Sequence, residues 1–107
     1  KTRITLDLMA MPILKKLSDY PIIVDPSHGT GRWDLIEPAV AAASVLGAQG
    51  IMVEIHPEPH LAFSDGYQSL NLYNFKKLVE KINKKKIKLK IKMLIQMNYQ
   101  ANFPLLI

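Results

Sequence analysis

Apolar positions along the chain switch between helical and strand spacing, and each switch marks an element. From Leu8 to Leu17 the apolar residues Leu8, Met11, Ile13, Leu14 and Leu17 fall on overlapping faces of a helix, with Lys15 and Lys16 turned away. Ser18-Asp19-Tyr20-Pro21 breaks that pattern. Ile22-Ile23-Val24 is short, β-branched and continuously apolar, the signature of a strand buried on both faces. A glycine-containing turn follows from Ser27 to Gly31. A second helix is predicted from Asp34 to Leu46, with Asp34 as N-cap, Pro38 tolerated near the first turn and Gly47 at the C′ position. Gly50 to His56 reads as the next strand. A polar connection from Pro57 to Ser69 then leads to an amphipathic helix from Leu72 to Ile82.

Helix, strand, helix, strand, helix with short connections is the order of a parallel α/β fold. A parallel sheet is covered on both faces, and a closed (β/α)8 barrel takes about 250 residues. Two strands in 107 residues cannot build one, so the expectation is an incomplete portion of a TIM barrel that is inactive and poorly folded by itself. The opening Lys1-Thr2-Arg3-Ile4-Thr5 has neither an initiator Met nor the apolar core of a signal peptide. That suggests a sequence starting inside a longer, cytoplasmic protein.

Charge divides the chain. Residues 1–80 hold all nine acidic side chains against seven of the fourteen Lys and Arg, a net of −2. The other seven basic residues crowd between Lys81 and Lys92. Lys84 to Met93 sets Lys against Ile or Leu at period two, which formally matches a strand. Lys, Ile and Asn are also what AT-rich codons yield in a wrong reading frame. Residues 83–107 are therefore read as an atypical tail, frameshifted or solvated, behind a body of residues 1–82. No cysteine is present, which excludes disulfides and thiolate metal sites. No apolar run approaches the roughly 18 residues of a membrane span.

Candidate chemistry gathers after the strands. Asp25-Pro26-Ser27-His28 follows the first, Glu54 and His56 end the second, and Asp65 lies in the loop beyond. In parallel barrels this end of the strands is the active-site face. One imidazole with two carboxylates suits Mn, Fe, Co or Zn better than Ca. A lone strand-end His is more often a hydrogen-bonding residue than a ligand, and Asp-Gly is usually a turn. It is the combination that points to a metal. His56 stands on the same side as Glu54, either orienting that carboxylate or capping the strand. His60 reads as solvent-exposed, and Trp33 as packing at the site's rim. Gly29-Thr30-Gly31-Arg32 is a weak phosphate-loop signal and a better tight turn.

The run Pro21 to His28 with Gly31-Arg32-Trp33-Asp34-Leu35, then Gly50 to Pro59 and Ala62 to Leu70, resembles the 3-deoxy-D-arabino-heptulosonate 7-phosphate (DAHP) synthase family, in the branch related to 3-deoxy-D-manno-octulosonate 8-phosphate (KDO8P) synthase. The resemblance covers about Thr2 to Ile82 and implies the last two strands, with flanking helices, of a (β/α)8 barrel. It implies a transferase that condenses phosphoenolpyruvate with erythrose 4-phosphate at the start of the shikimate pathway to aromatic amino acids. The complete enzyme would be a homo-oligomer. His28, Glu54 and Asp65 match three of the family's four divalent-metal ligands. The fourth is a cysteine, which this sequence lacks. Asp65 would also contact a sugar hydroxyl during catalysis, and Arg32 and Gln68 would bind substrate. Ile4 departs from the family's usual Asn.

Two other readings compete. KDO8P synthase has the same fold and takes arabinose 5-phosphate. The short Gly29-Thr30-Gly31 turn and the Gln68-Ser69-Leu70 continuation favour the heptulosonate enzyme. A non-catalytic basic protein that binds nucleic acid through Lys81 to Lys92 would explain the tail and leave the body without a role.

Overall fold

The computed structural model describes residues 4–61, 66–84 and 90–95. In chain order these form α1 (Ala10–Leu17), β1 (Ile23–Val24), α2 (Pro26–Thr30), α3 (Ile36–Val45), β2 (Gly50–Ile55), α4 (Leu72–Lys84) and β3 (Lys90–Ile95), with 3-10 turns at Trp33–Leu35, Pro59–Leu61 and Gly66–Gln68. The strands form one parallel sheet in the order β1-β2-β3.

β2 is central, between β1 and β3, and all but one of its residues are apolar or glycine. Ile51, Val53 and Ile55 are buried against Ile36 and Val40 of α3, Leu70, and Leu78 and Ile82 of α4. Side chains alternate across a strand, so Glu54 points to the opposite face from Val53 and Ile55. A second cluster joins Met11 of α1, Val24 of β1, Ala43 of α3 and Ala48. Ala43 is small enough to let α3 lie close to the sheet.

β1 pairs only with Gly50 and Ile51. Further along β2 the pairing passes to other groups. Ser27 Oγ accepts from the Glu54 N–H at 2.9 Å. Leu70 donates to the Glu54 carbonyl and accepts from the His56 N–H, each at 2.9 Å. These contacts bind α2 and the segment before α4 to the strand end that carries Glu54.

Several expectations need correction. The sequence reading counted two strands, whereas β3 pairs along all of β2, from Gly50↔Lys90 to Ile55↔Ile95. The turn at Ser27 to Gly31 is a helical turn, because Asp25 caps it, Pro26 opens it and Gly31 ends it at φ 67°. Asp34 does not cap α3. It sits in the 3-10 turn and pairs with Arg32, and α3 begins at Ile36 without a side-chain cap. Pro38 is then the third residue of α3, where the first-turn N–H groups lack intrahelical partners anyway. Gly47 follows the helix at φ 87°, as expected of a C′ glycine. On α1, Met11 alone is buried, while Ile13 and Leu17 are 61 % and 77 % exposed, so the apolar face read from the sequence is uncovered here. Among the described residues no helix is long and apolar enough to cross a membrane.

Candidate metal centre

The site starts with the turn that follows β1. Asp25 is the N-cap of α2, Pro26 takes the first helical position and His28 the third. Pro26 suits that place because its φ is already helical and its missing N–H would have gone unpaired. Asp25 Oδ1 accepts from the His28 backbone N–H at 2.9 Å, as an N-cap does. The same carboxylate's Oδ2 lies 2.6 Å from His28 Nδ1. The imidazole is thus fixed on one side and presents Nε2 on the other.

Nε2 meets Glu54 Oε1 at 2.5 Å. Glu54 is 1 % exposed, and its other carboxylate oxygen reaches Ser69 Oγ at 3.4 Å, the long end of the hydrogen-bond range. A carboxylate this deep requires strong donors or a cation, because burying an unpaired charge costs many kcal/mol. His28 and Glu54 therefore bring one imidazole nitrogen and one buried carboxylate oxygen to a single point, the first from the turn after β1 and the second from the end of the adjacent parallel strand β2. That donor pair fits a borderline divalent ion. Asp65, the third expected ligand and expected catalytic residue, lies outside the described residues. Among the described residues no group of three His, Cys, Asp or Glu side chains is placed to hold a metal. Asp25 does not make a third, because it engages the opposite nitrogen of the ring.

The other expected residues divide. Arg32 forms a two-point pair with Asp34, Nε to Oδ1 at 3.0 Å and Nη2 to Oδ2 at 2.6 Å. Those donors hold the Asp34 carboxyl below its usual range, and the pairing raises the Arg32 guanidinium. Gln68 is buried, and its Nε2 has no partner among the described residues, an unmet donor next to Ser69. His56 is buried and its Nδ1 accepts from the Glu58 N–H at 2.8 Å, which realises the strand-capping alternative. His60 is exposed, as expected.

The phosphate-loop reading of Gly29 to Arg32 does not survive. The Gly29 and Gly31 N–H groups donate to the Asp25 and Ser27 carbonyls, and the Arg32 N–H donates to Thr30 Oγ1. No run of open amides is left to cradle an anion. Trp33 lines a cleft of about 570 Å³ together with His60, Tyr67, Ser69 and Asn74. Ser69 touches both that cleft and Glu54, so the cleft adjoins the His28–Glu54 pair.

Sequence reasoning found His28 and Glu54 but read Asp25 only as part of a motif. Asp-Pro ahead of a short helical turn was the available signal, since it places an acceptor at the N-cap and a Pro at the first helical position.

Known proteins resemble this chain in sequence and fold. The family model for the DAHP synthetase I family matches residues 1–91. Over 83 residues the chain is 55 % identical to a phospho-2-dehydro-3-deoxyheptonate aldolase from Thermotoga maritima, covering 78 % of this chain and 25 % of that protein. A 2-dehydro-3-deoxyphosphooctonate aldolase from Bradyrhizobium diazoefficiens is 31 % identical over 87 residues, covering 71 % of this chain and 31 % of the relative. Among solved structures, a truncated form of the Thermotoga maritima 3-deoxy-D-arabino-heptulosonate 7-phosphate synthase superposes with a TM-score of 0.76 at 50 % identity, over 85 % of this chain and 36 % of that one. The chain therefore spans about a quarter to a third of the relatives it matches.

Proposed function

Because the chain belongs to the DAHP synthetase I family, we propose that it carries the part of a (β/α)8 barrel's active-site face that supplies His28, Glu54 and Asp65 as ligands of a divalent metal ion. The observation that carries the proposal is the convergence of His28 Nε2 and Glu54 Oε1, at 2.5 Å, at the C-terminal ends of two adjacent parallel strands. The exposed apolar residues of α1, Ile13, Leu14 and Leu17, support the partial-barrel reading, since in a closed barrel such a face packs against neighbouring helices. In this reading residues 1–82 are the barrel portion and 83–107 an added tail, although the family match runs on to residue 91. The complete enzyme acts in the cytoplasm.

The reaction we assign to the complete enzyme is condensation of phosphoenolpyruvate with erythrose 4-phosphate, with release of phosphate. A divalent ion, when bound, supplies Lewis acidity for the acceptor's carbonyl oxygen. The chain's own residues do the rest of what this part can do. Asp25 fixes the ring of His28, the Ser27 and Leu70 contacts fix the strand end under Glu54, and Ser69 joins that carboxylate to the cleft. The cleft beside Trp33 and Tyr67 is where the acceptor sugar phosphate would lie, and Gln68, whose Nε2 has no partner among the described residues, adjoins two of its lining residues, Tyr67 and Ser69, in sequence. Arg32 contributes to substrate binding only by leaving Asp34.

The acceptor sugar is the point to test. The heptonate relative is 55 % identical and the octonate relative 31 %, which favours erythrose 4-phosphate over arabinose 5-phosphate. Replacing the matching segment of the Thermotoga maritima protein with residues 1–82 gives a whole barrel to assay. Phosphoenolpyruvate-dependent phosphate release with erythrose 4-phosphate, and far less with arabinose 5-phosphate, is expected. Preference for arabinose 5-phosphate would reverse the assignment.

A further inference from the structure

We infer that Asp25 is a positioning residue for the metal centre, one carboxylate that both starts α2 and sets the direction of the His28 ring. The inference rests on the metal-ligand reading of His28 given above. Two donors of the same residue compete for acceptors at this spot, the His28 backbone N–H and the ring Nδ1. Asp25 meets them with separate oxygens, Oδ1 at 2.9 Å and Oδ2 at 2.6 Å. A carboxylate can serve both because each oxygen is an acceptor. An Asn in its place has one acceptor oxygen and serves one donor; a Ser serves the backbone N–H but is too short to reach the ring.

The chain arrives at this geometry through spacing alone. An N-cap side chain meets the N–H of the third helical residue, so a His at that third position brings its own ring back over the cap. Pro26, lacking an N–H, leaves that carboxylate no competing donor at the first helical position. With Nδ1 engaged by Asp25, Nε2 is the nitrogen turned toward Glu54, and ligating histidines typically hold the metal with one nitrogen while a carboxylate holds the other. Asp25 is about one-third exposed and engages His28 at the nitrogen opposite Nε2, so its effect on a metal runs through the ring of His28.

Cobalt(II) titration of the Thermotoga maritima protein carrying residues 1–82, followed by its ligand-field absorption, separates this role from simple capping. Asp25→Ser keeps the helix cap and loses the ring contact. It should weaken cobalt binding by about 10–100-fold while the melting temperature stays near that of the parent. Asp25→Glu, which keeps both oxygens, should recover part of the affinity. If Asp25→Ser does not fold, Asp25→Asn, an equally good cap with a single acceptor oxygen, takes its place with the same expected loss. Cobalt affinity and spectrum unchanged in the folded variant would overturn the role of Asp25 and leave His28 as a ligand. Failure of the parent barrel to bind cobalt through His28, shown by no difference from His28→Ala, would overturn the metal reading and this inference with it.

Discussion

Replacing Ser27 with Ala tests how the strand end beneath Glu54 is held. Ser27 is fully buried, and its Oγ accepts from the Glu54 N–H at 2.9 Å, at a level of β2 that the two residues of β1 do not reach. The substitution removes one oxygen and leaves almost no cavity, so the cost is that of the hydrogen bond itself. A typical bond is worth a net 0.5–1.5 kcal/mol, and a buried donor left without its acceptor costs about 1–3 kcal/mol. Because the backbone N–H stays where it is, the second figure governs, and Ser27→Ala should lose about 1–3 kcal/mol. In a chain of this size each kcal/mol lowers the melting temperature by roughly 4–8 °C. Thermal melts read the total, and amide hydrogen exchange reads the place: Glu54 should lose protection. Ser44→Ala is the control, since Ser44 Oγ donates to the Ala41 carbonyl on an exposed surface and should shift stability by no more than about 0.5 kcal/mol. A Ser27→Ala chain within that margin of the parent, with the Glu54 amide as protected as before, would refute the claim that this hydroxyl holds the strand end.

Two further outcomes follow from the same geometry. The donors of Arg32 depress the Asp34 carboxyl, so its contribution to stability is complete above the unfolded value near 4 and is lost as pH falls through the lower folded value; the stability gap between parent and Asp34→Asn, from urea melts, should therefore close on acidification below about pH 4 and would contradict the pairing if it widened. Neighbouring residues of a strand direct their N–H groups to opposite sides, so one of Met93→Pro and Leu94→Pro must remove a ladder bond to β2; that variant should speed amide exchange in Gly50–Ile55, and unchanged exchange in both would argue against β3 as a member of the sheet.

Much of this was legible because the pattern is local. The largely apolar strand at Gly50–Ile55, the helical period from Leu72 and the glycine at position 47 are each set by neighbours in sequence, and each appears close to where the spacing put it. His28 and Glu54 were singled out because they stand at strand ends inside motifs that resemble a known family, and the structure brings the two side chains together. What escaped notice depended on partners. Asp34 resembles an N-cap until Arg32, two residues earlier, takes its carboxylate from the side. The alternation in the tail was visible, but a parallel strand draws its partner from far away in sequence, and composition argued against it. The apolar face of α1 was read correctly as apolar, yet nothing among the described elements covers Ile13 or Leu17. The double duty of Asp25 needed the backbone of α2, because only a helical turn returns the third residue to its cap.

In the reading proposed above, His28 and Glu54 hold a divalent metal in the complete barrel. The most direct measurement is the metal content, after exhaustive dialysis, of the Thermotoga maritima protein carrying residues 1–82, compared with the same protein bearing His28→Ala. Close to one divalent ion per chain is expected in the first and less than about a tenth of that in the second, with turnover falling in step. Equal metal content and equal turnover in the two would contradict it.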